Sequence, residues 1–375
     1  MVITSKKKNN HFVPKSYLRR FCSKNDKQIS LYNIKSDKTI EVAPIKSQCS
    51  RDYFYTKNPV FENDFAQIEA RQKIILDKVS FSQNLHQLDS VCRSELSSVI
   101  TFQAGRTVSA ADHDDHIANQ LSKSILRHHF EREKKLDLLE YLKDVNLFLL
   151  NPVMDSIARH LLMGPLINDL DCTLFRNETS EDFLTSDHPV VLCSGLPGGK
   201  SSDRRLGFAS PGLIILYPIS PREILFLSDP EAYKIESLNG ISSLCSEQDI
   251  VDLNLAQFSN AHENVYFSKT VNVARTLKQF RETSCVVRVA RPAAMETAFR
   301  SPDGRRGIIL HIPVDARRQR LPKCVQVKYS FKRRIQAGLP LARDESRVLF
   351  VNEQIDKLHK LRDARQASSE RKEGR

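Results

Sequence analysis

The spacing of apolar residues changes twice along the chain. Across residues 62–165 it is helical. Phe65, Ile68, Ile75 and Val79 fall on one stripe, and Leu96, Val99 and Ile100 begin another. The run from Ser122 to Leu150 predicts a long, highly charged amphipathic helix, or two. From about Asp171 the pattern shortens to β-like runs (DCTLFRN, DFLTSD, VVLCS, GLIILYPIS, REILFLSD) bounded by Ser, Asp, Pro and Gly. The stretch LIILYPISPREILFLSD predicts a hairpin, as does QISLYNI followed by KTIEVAPI with KSD as the turn. Residues 246–269 return to a helical pattern with Ser246 as cap, and SCVVRVA predicts one more strand. RSPDGRRGIILHIPVDARRQRLPK is read as loop, and SRVLFVNEQIDKLHKLRDARQ as a basic terminal helix with a frayed tail. The expected architecture is α+β: a helical middle packed against a mostly antiparallel sheet. Residues 1–10 are expected to be disordered, 11–290 to form the α+β domain with residues 171–290 mostly β, and 291–375 to form a basic C-terminal region.

Composition adds little until charge is considered. With 375 residues, 40% hydrophobic and 27% charged, the chain reads as a soluble globular protein with a sizeable core. No apolar run reaches the roughly 20 residues needed to cross a bilayer. MVITSKKKNN has no apolar segment behind its lysines, so the expected location is the cell interior. Eight irregularly spaced cysteines (22, 49, 92, 172, 193, 245, 285 and 324) predict reduced thiols rather than disulfides or a zinc ribbon. The net charge of +12 is concentrated: residues 291–375 hold 21 Lys and Arg against 10 Asp and Glu. That asymmetry suits a polyanion partner or a solvated appendage.

SGLPGGKS, from Ser194 to Ser201, approaches a phosphate-binding loop and misses. Counting back from Gly199-Lys200-Ser201, the required first glycine falls on Ser194, and no apolar helical stripe follows. A flexible glycine-rich loop between strands is the reading instead.

Four segments carry more information: HFVPKSYLRRF, FQAGRT, FLTSDHPVV with LYPISPREILFL, and LNLAQFSNAHENVYFS. In this order they resemble the family known as domain of unknown function 4238, over roughly His11 to Ser268. The turn residue usually Asn in that family's Ser-Asp-Asn-Pro is His188 here. The resemblance implies no activity, so chemistry must come from the residues.

His11 precedes a proline-started helix, where imidazole tends to stay neutral and can accept a proton, or simply bond the backbone. Gln103, Arg106 and Thr107 continue the second helical stripe, so its inward face turns polar. A buried guanidinium there needs a carboxylate, a phosphate or solvent, and Glu69 and Asp187 are the candidate acids. Asp187 sits in a tight turn, as general base, metal ligand, anchor of Arg106 or a backbone-bonding turn residue. Asn254 and Gln257 come from the later helix and are more often packing or capping amides. The candidate site is therefore His11, Arg106 and Asp187 as catalytic residues, with Gln103, Thr107 and Asn254 contacting substrate. DHDDH (Asp112 to His116) pairs its His and Asp at helical spacing, yet acids are common in a first helical turn, so no metal ligand is assigned; His128-His129 is a weaker signal. The cofactor is left open.

RRQRLPKCVQVKYSFKRR could hold nucleic acid through phosphates and stacked bases, form an amphipathic strand against the body, or meet a membrane surface. The reading favoured by these residues is an intracellular enzyme on a phosphate-containing or nucleic-acid substrate, for example in phage defence. The alternatives are a non-catalytic recognition or scaffold protein, and a nucleic-acid-binding module using residues 291–375.

Overall fold

The computed structural model describes residues 9–23, 27–55, 60–196, 206–283, 295–300, 306–311, 318–337 and 342–373. The near-P-loop from residue 197 to 205 and the predicted strand SCVVRVA lie outside them, as does most of the N-terminal lead. Strand β1, Asn9–His11, begins inside the stretch expected to be disordered.

After β1 come α1, Lys15–Leu18, and the hairpin β2, Gln28–Asn33, with β3, Lys38–Pro44. Asp37 closes their turn at φ 52°, and the strands pair antiparallel as their alternation predicts. β4, Ser50–Asp52, pairs with β1. The helical middle is α2, Val60–Phe81; α3, Ser90–Gly105; α4, Val108–Arg132; α5, Leu136–Asp144; and α6, Pro152–Leu162. Capping divides it. The Asp89 carboxylate accepts from Cys92 N at 2.7 Å to start α3, and the Thr107 hydroxyl accepts from Ala110 N at 3.2 Å to start α4. The charged run 122–150 proves to be two helices, broken where Lys134 adopts φ 56°.

The β-rich part supplies β5, Asp171–Asn177; β6, Thr185–Ser186; β7, Val191–Cys193; β8, Ile214–Ser220; β9, Glu223–Ser228; β10, Tyr233–Ile235; and β11, Ile241–Leu244. Then follow α7, Glu247–Asn260; β12, Asn264–Phe267; α8, Ala274–Thr283; and the paired β13, Met295–Arg300, and β14, Arg306–His311. β15, Val325–Val327; α9, Tyr329–Ala337; and α10, Glu345–Glu373 complete the order.

Three sequence expectations change here. The helix expected over 246–269 ends at Asn260, because NVYF pairs in register with β2 as β12. Ser246 does occupy the N-cap position of α7, but its side chain makes no capping bond. The segment read as loop contains β14 and the end of β13. In CVQVKYSFKRR only Val325–Val327 is strand, and Tyr329 onward is helix α9.

The larger sheet runs β11-β5-β9-β8-β7, antiparallel except for β11 with β5; the second runs β3-β2-β12-β6 and is antiparallel throughout. β8, between β9 and β7, sends side chains both ways. Ile215, Tyr217 and Ile219 pack with Leu18 and Phe21, with Val79 of α2, and with Leu96 and Ile100 of α3. Ile214 and Leu216 pack with Ile250 and Leu253 of α7 and with Val325 and Phe331 of the C-terminal part. A strand buried on both faces explains the near-continuous apolar run LIILYPI. The α+β architecture is thus a helical layer on one face of the sheet and α7 with β15 and α9 on the other.

The C-terminal stretch is therefore part of the body over residues 318–337 and 342–351. Arg343 holds Asp169 with two bonds of 3.0 Å and donates to the carbonyls of Ser210 and Leu166 at 2.8 and 2.7 Å. Among the described residues, no helix is long and apolar enough to cross a membrane.

Candidate functional site

Arg106 stands at the junction where α3 ends and Thr107 caps α4, which turns its side chain into the protein. It is fully buried. Its Nη2 donates to Glu69 Oε1, to the Tyr55 hydroxyl and to the main-chain carbonyl of His11, each at 2.6 Å, and its Nε donates to the Tyr55 hydroxyl at 2.9 Å. The guanidinium also lies 4.8 Å from the centre of the Phe102 ring. Burial works against its charge, but Tyr55 and Glu69 more than offset this and hold its pKa above the ordinary value. Burial pushes the Tyr55 phenol up to about 12, so it remains a neutral hydroxyl that both donates and accepts. Of the two acids considered from sequence, Glu69 is the partner.

The segment His11–Val13 is held by the same helix. Gln103 Nε2 donates to Phe12 O at 3.1 Å and Tyr55 OH donates to His11 O at 2.8 Å. The His11 imidazole has its pKa lowered, by burial first and by Lys15 next, with Glu69 and the backbone at Lys46 and Ile45 acting in the opposite sense. Its Nε2 and the Arg106 Nη1 are buried without a partner among the described residues.

Asp187 is engaged elsewhere. Its carboxylate accepts from the backbone N–H groups of His262 at 2.7 Å, Glu263 at 2.8 Å and Asn264 at 3.0 Å. It thereby clamps the entry to β12, a longer-range version of the turn-bonding role weighed from sequence. Burial raises its pKa, and the three amides pull against that rise. Asp187 and Arg106 share no hydrogen bond. They are linked through their neighbours, because Thr107 Oγ1 meets His188 Nδ1 at 2.7 Å. His188, the departure from the family pattern, thus joins the arginine motif to the aspartate motif.

The remaining candidates also bond inward. Asn254 Oδ1 accepts from Leu184 N at 3.1 Å, while its Nδ2 donates to Asp182 O at 2.9 Å and Thr276 Oγ1 at 3.1 Å. Gln257 bridges the Ser186 hydroxyl and Pro189 O, both at 2.8 Å. Tyr17 reaches Thr185 Oγ1 at 2.8 Å and Pro218 O at 2.5 Å and stacks on Tyr217, whose hydroxyl accepts from Gln72 at 2.8 Å. The sequence reading missed Tyr55, Tyr17 and Gln72 as polar members of this network. Tyr17 lies beside the buried apolar Leu18 and Phe21, and nothing local marks its hydroxyl.

A hollow of about 160 Å³ opens where the motifs meet, bordered by Phe12, Cys49, Val108, Asp187, His262 and Tyr266. Burial raises the Cys49 thiol well above its usual range, with Asp187 adding to the effect, and burial does the same to the Tyr266 phenol. Both are held protonated, which leaves them unreactive. In the DHDDH segment Asp114 is buried and pairs with Arg159, and Asp115 accepts from Leu149 N at 2.7 Å. Among the described residues, no group of three or more His, Cys, Asp or Glu is placed to hold a metal ion.

A family model described as "Protein of unknown function (DUF4238)" matches residues 9–270, from strand β1 to just past β12, which takes in all of this network but Thr276. The chain belongs to this family. In DUF4238 terms, the segments His11–Phe21, Gln103–Thr107 and Ser186–Pro189 are here one bonded unit. Comparison with curated proteins finds no match, and comparison with solved structures finds none.

Two partly buried imidazoles set an expected pH response. His11 and His160 both have lowered pKa values, with burial the largest cause in each. The folded state therefore favours the neutral ring, whereas the unfolded chain takes up a proton near the ordinary value of 6.5. Their contribution is fully present above that pH and is lost as pH falls below it. Urea midpoints should drop between pH 7.5 and 5.5, and His11→Asn should lessen the drop. An unchanged midpoint across that range would contradict the assignment.

Proposed function

We propose that this member of DUF4238 binds nucleic acid and performs no chemistry at the motif cluster. The observation that carries the reading is on α9. Tyr329 is 76% exposed, and Lys332 and Arg333, three and four residues on, are exposed on the same face. A stacking ring beside two cations is the combination that holds single strands with little sequence preference. Phe331 anchors this helix in the core, so the surface is presented on a rigid element. The motif cluster supports a binding role from the opposite side. Arg106 and Asp187 are occupied by internal bonds, and the nearby thiol and phenol are held protonated.

Because β15 and α9 contribute to the core, deletion after Ala290 would test folding rather than binding. Point variants are the cleaner test. Affinity for a labelled single-stranded oligonucleotide should fall steeply as salt rises, and Lys332→Glu with Arg333→Glu should weaken it at least tenfold while flattening the salt slope by about two. Unchanged affinity and slope in that variant would refute the reading.

A second reading, an enzyme acting on a phosphate-containing substrate, is favoured by the 160 Å³ hollow, which Arg51 and His262 also border. In that reading the hollow takes the phosphate and Asp187 orients it.

A further inference from the structure

A separate cavity of about 260 Å³ lies between α3, the start of β5 and β10, away from the motif cluster. Its lining is rich in cations: Arg93, Lys234 and Lys328 face a single carboxylate, Asp171. Arg93 donates through Nε to Leu88 O at 3.2 Å, which leaves both Nη groups without an acceptor among the described residues. Lys328 donates to Pro230 O at 2.6 Å, and Lys234 has no acceptor among the described residues. The cavity also holds an acceptor lacking a donor. Asn168 is one of its lining residues, and its Oδ1 is buried without a hydrogen-bond partner among the described residues. Buried polar atoms are almost always satisfied, so an unmet one beside an open space marks what the space takes in. Ser228, 1% exposed, borders the same cavity.

From these observations we infer that this cavity binds a small phosphomonoester of a polyol, of sugar-phosphate size. Arg93 and Lys234 hold the phosphate, with Lys328 adding charge, and Asn168 Oδ1 accepts from a ligand hydroxyl. The volume admits a pentose phosphate and is too small for an extended strand. The inference is independent of the nucleic-acid reading, because none of its residues belongs to the exposed face of α9.

Titration calorimetry of the full chain with ribose 5-phosphate, inorganic phosphate and ribose tests it. Saturable one-to-one binding of ribose 5-phosphate is expected, with inorganic phosphate weaker and ribose weaker still. Arg93 and Lys234 are exposed, so Arg93→Gln with Lys234→Gln leaves the fold intact, and it should weaken ribose 5-phosphate at least tenfold. Asn168→Ala should weaken ribose 5-phosphate more than inorganic phosphate, a difference that general loss of folding would not produce. Lys332→Glu with Arg333→Glu should leave this binding unchanged, which separates it from the nucleic-acid surface. Absence of saturable binding at millimolar ribose 5-phosphate would overturn the proposal. So would affinity that persists in the Arg93→Gln, Lys234→Gln variant.

Discussion

Glu69→Leu is expected to lower stability by about 3–5 kcal/mol, because it strands a charge that cannot reach water. Arg106 is fully buried, and once Glu69 is gone its partners are a phenol and a main-chain carbonyl, both neutral. The reciprocal change should cost less. Glu69 is one-third exposed, so in Arg106→Leu its carboxylate can turn to solvent. The loss there is the pair of bonds from Arg106 to the Tyr55 hydroxyl and the His11 carbonyl, which still bond each other, about 1–2 kcal/mol together. The asymmetry leads to a sharper expectation for the pair. Adding Arg106→Leu to Glu69→Leu should restore stability rather than reduce it further, since the double variant buries no charge. Urea-unfolding midpoints of the three variants decide the matter. Strict additivity, or a larger loss in Arg106→Leu than in Glu69→Leu, would contradict the ion pair as described.

The second large effect belongs to Asp187. Its carboxylate satisfies three consecutive backbone N–H groups at the start of β12, which in turn seats β2 and β6 in the smaller sheet. Asp187→Ala should cost about 2–3 kcal/mol, because three partly buried donors lose their acceptor. The damage should be local. Amide exchange ought to accelerate at His262–Phe267 and across β2, while β8 and β9 stay protected. Asp187→Asn, which keeps one acceptor oxygen, should lie between the wild type and Asp187→Ala. Uniform acceleration across both sheets would show that Asp187 supports the fold in some other way.

How far the sequence carries one towards this picture depends on the range of the interaction. The hairpins β2–β3 and β8–β9 were legible because each is a local pattern: alternating or continuous apolar residues around a turn. The polar face of α3 was legible too, since Gln103, Arg106 and Thr107 continue an apolar stripe, and a buried arginine demands an acid. That reasoning named Glu69 among two candidates. It could not choose between them, because the choice depends on how α2 packs beside α3. β12 was hidden for a related reason. NVYF is four residues long and follows a helix, and only pairing with β2, more than 230 residues earlier, makes it a strand. The partners of Asp187 are main-chain amides, which leave no mark in side-chain identity. Tyr55 completes the arginine cage from outside every recognisable motif. β14 was missed because its apolar run GIIL lies among the Pro, Asp, Gly and Arg residues of a loop-like composition.

The motif residues thus form a lock that joins the N-terminal segment, α3 and the β6 turn. A lock and a reactive centre make opposite demands on the same side chains. In a lock, Arg106 through Nε and Nη2 and Asp187 through both oxygens are held within the protein; in a reactive centre, they must turn toward a substrate. The measurement that separates the two most directly is the fate of nucleic acid bound by the purified protein. End-labelled single- and double-stranded DNA and RNA would be held at saturating protein, with and without magnesium or manganese, and then deproteinised and sized. The binding account predicts strands that are retained by the protein and recovered intact under every condition. Cleavage or modification by the wild type, lost in a folded Asp187→Asn protein that still binds, would contradict it.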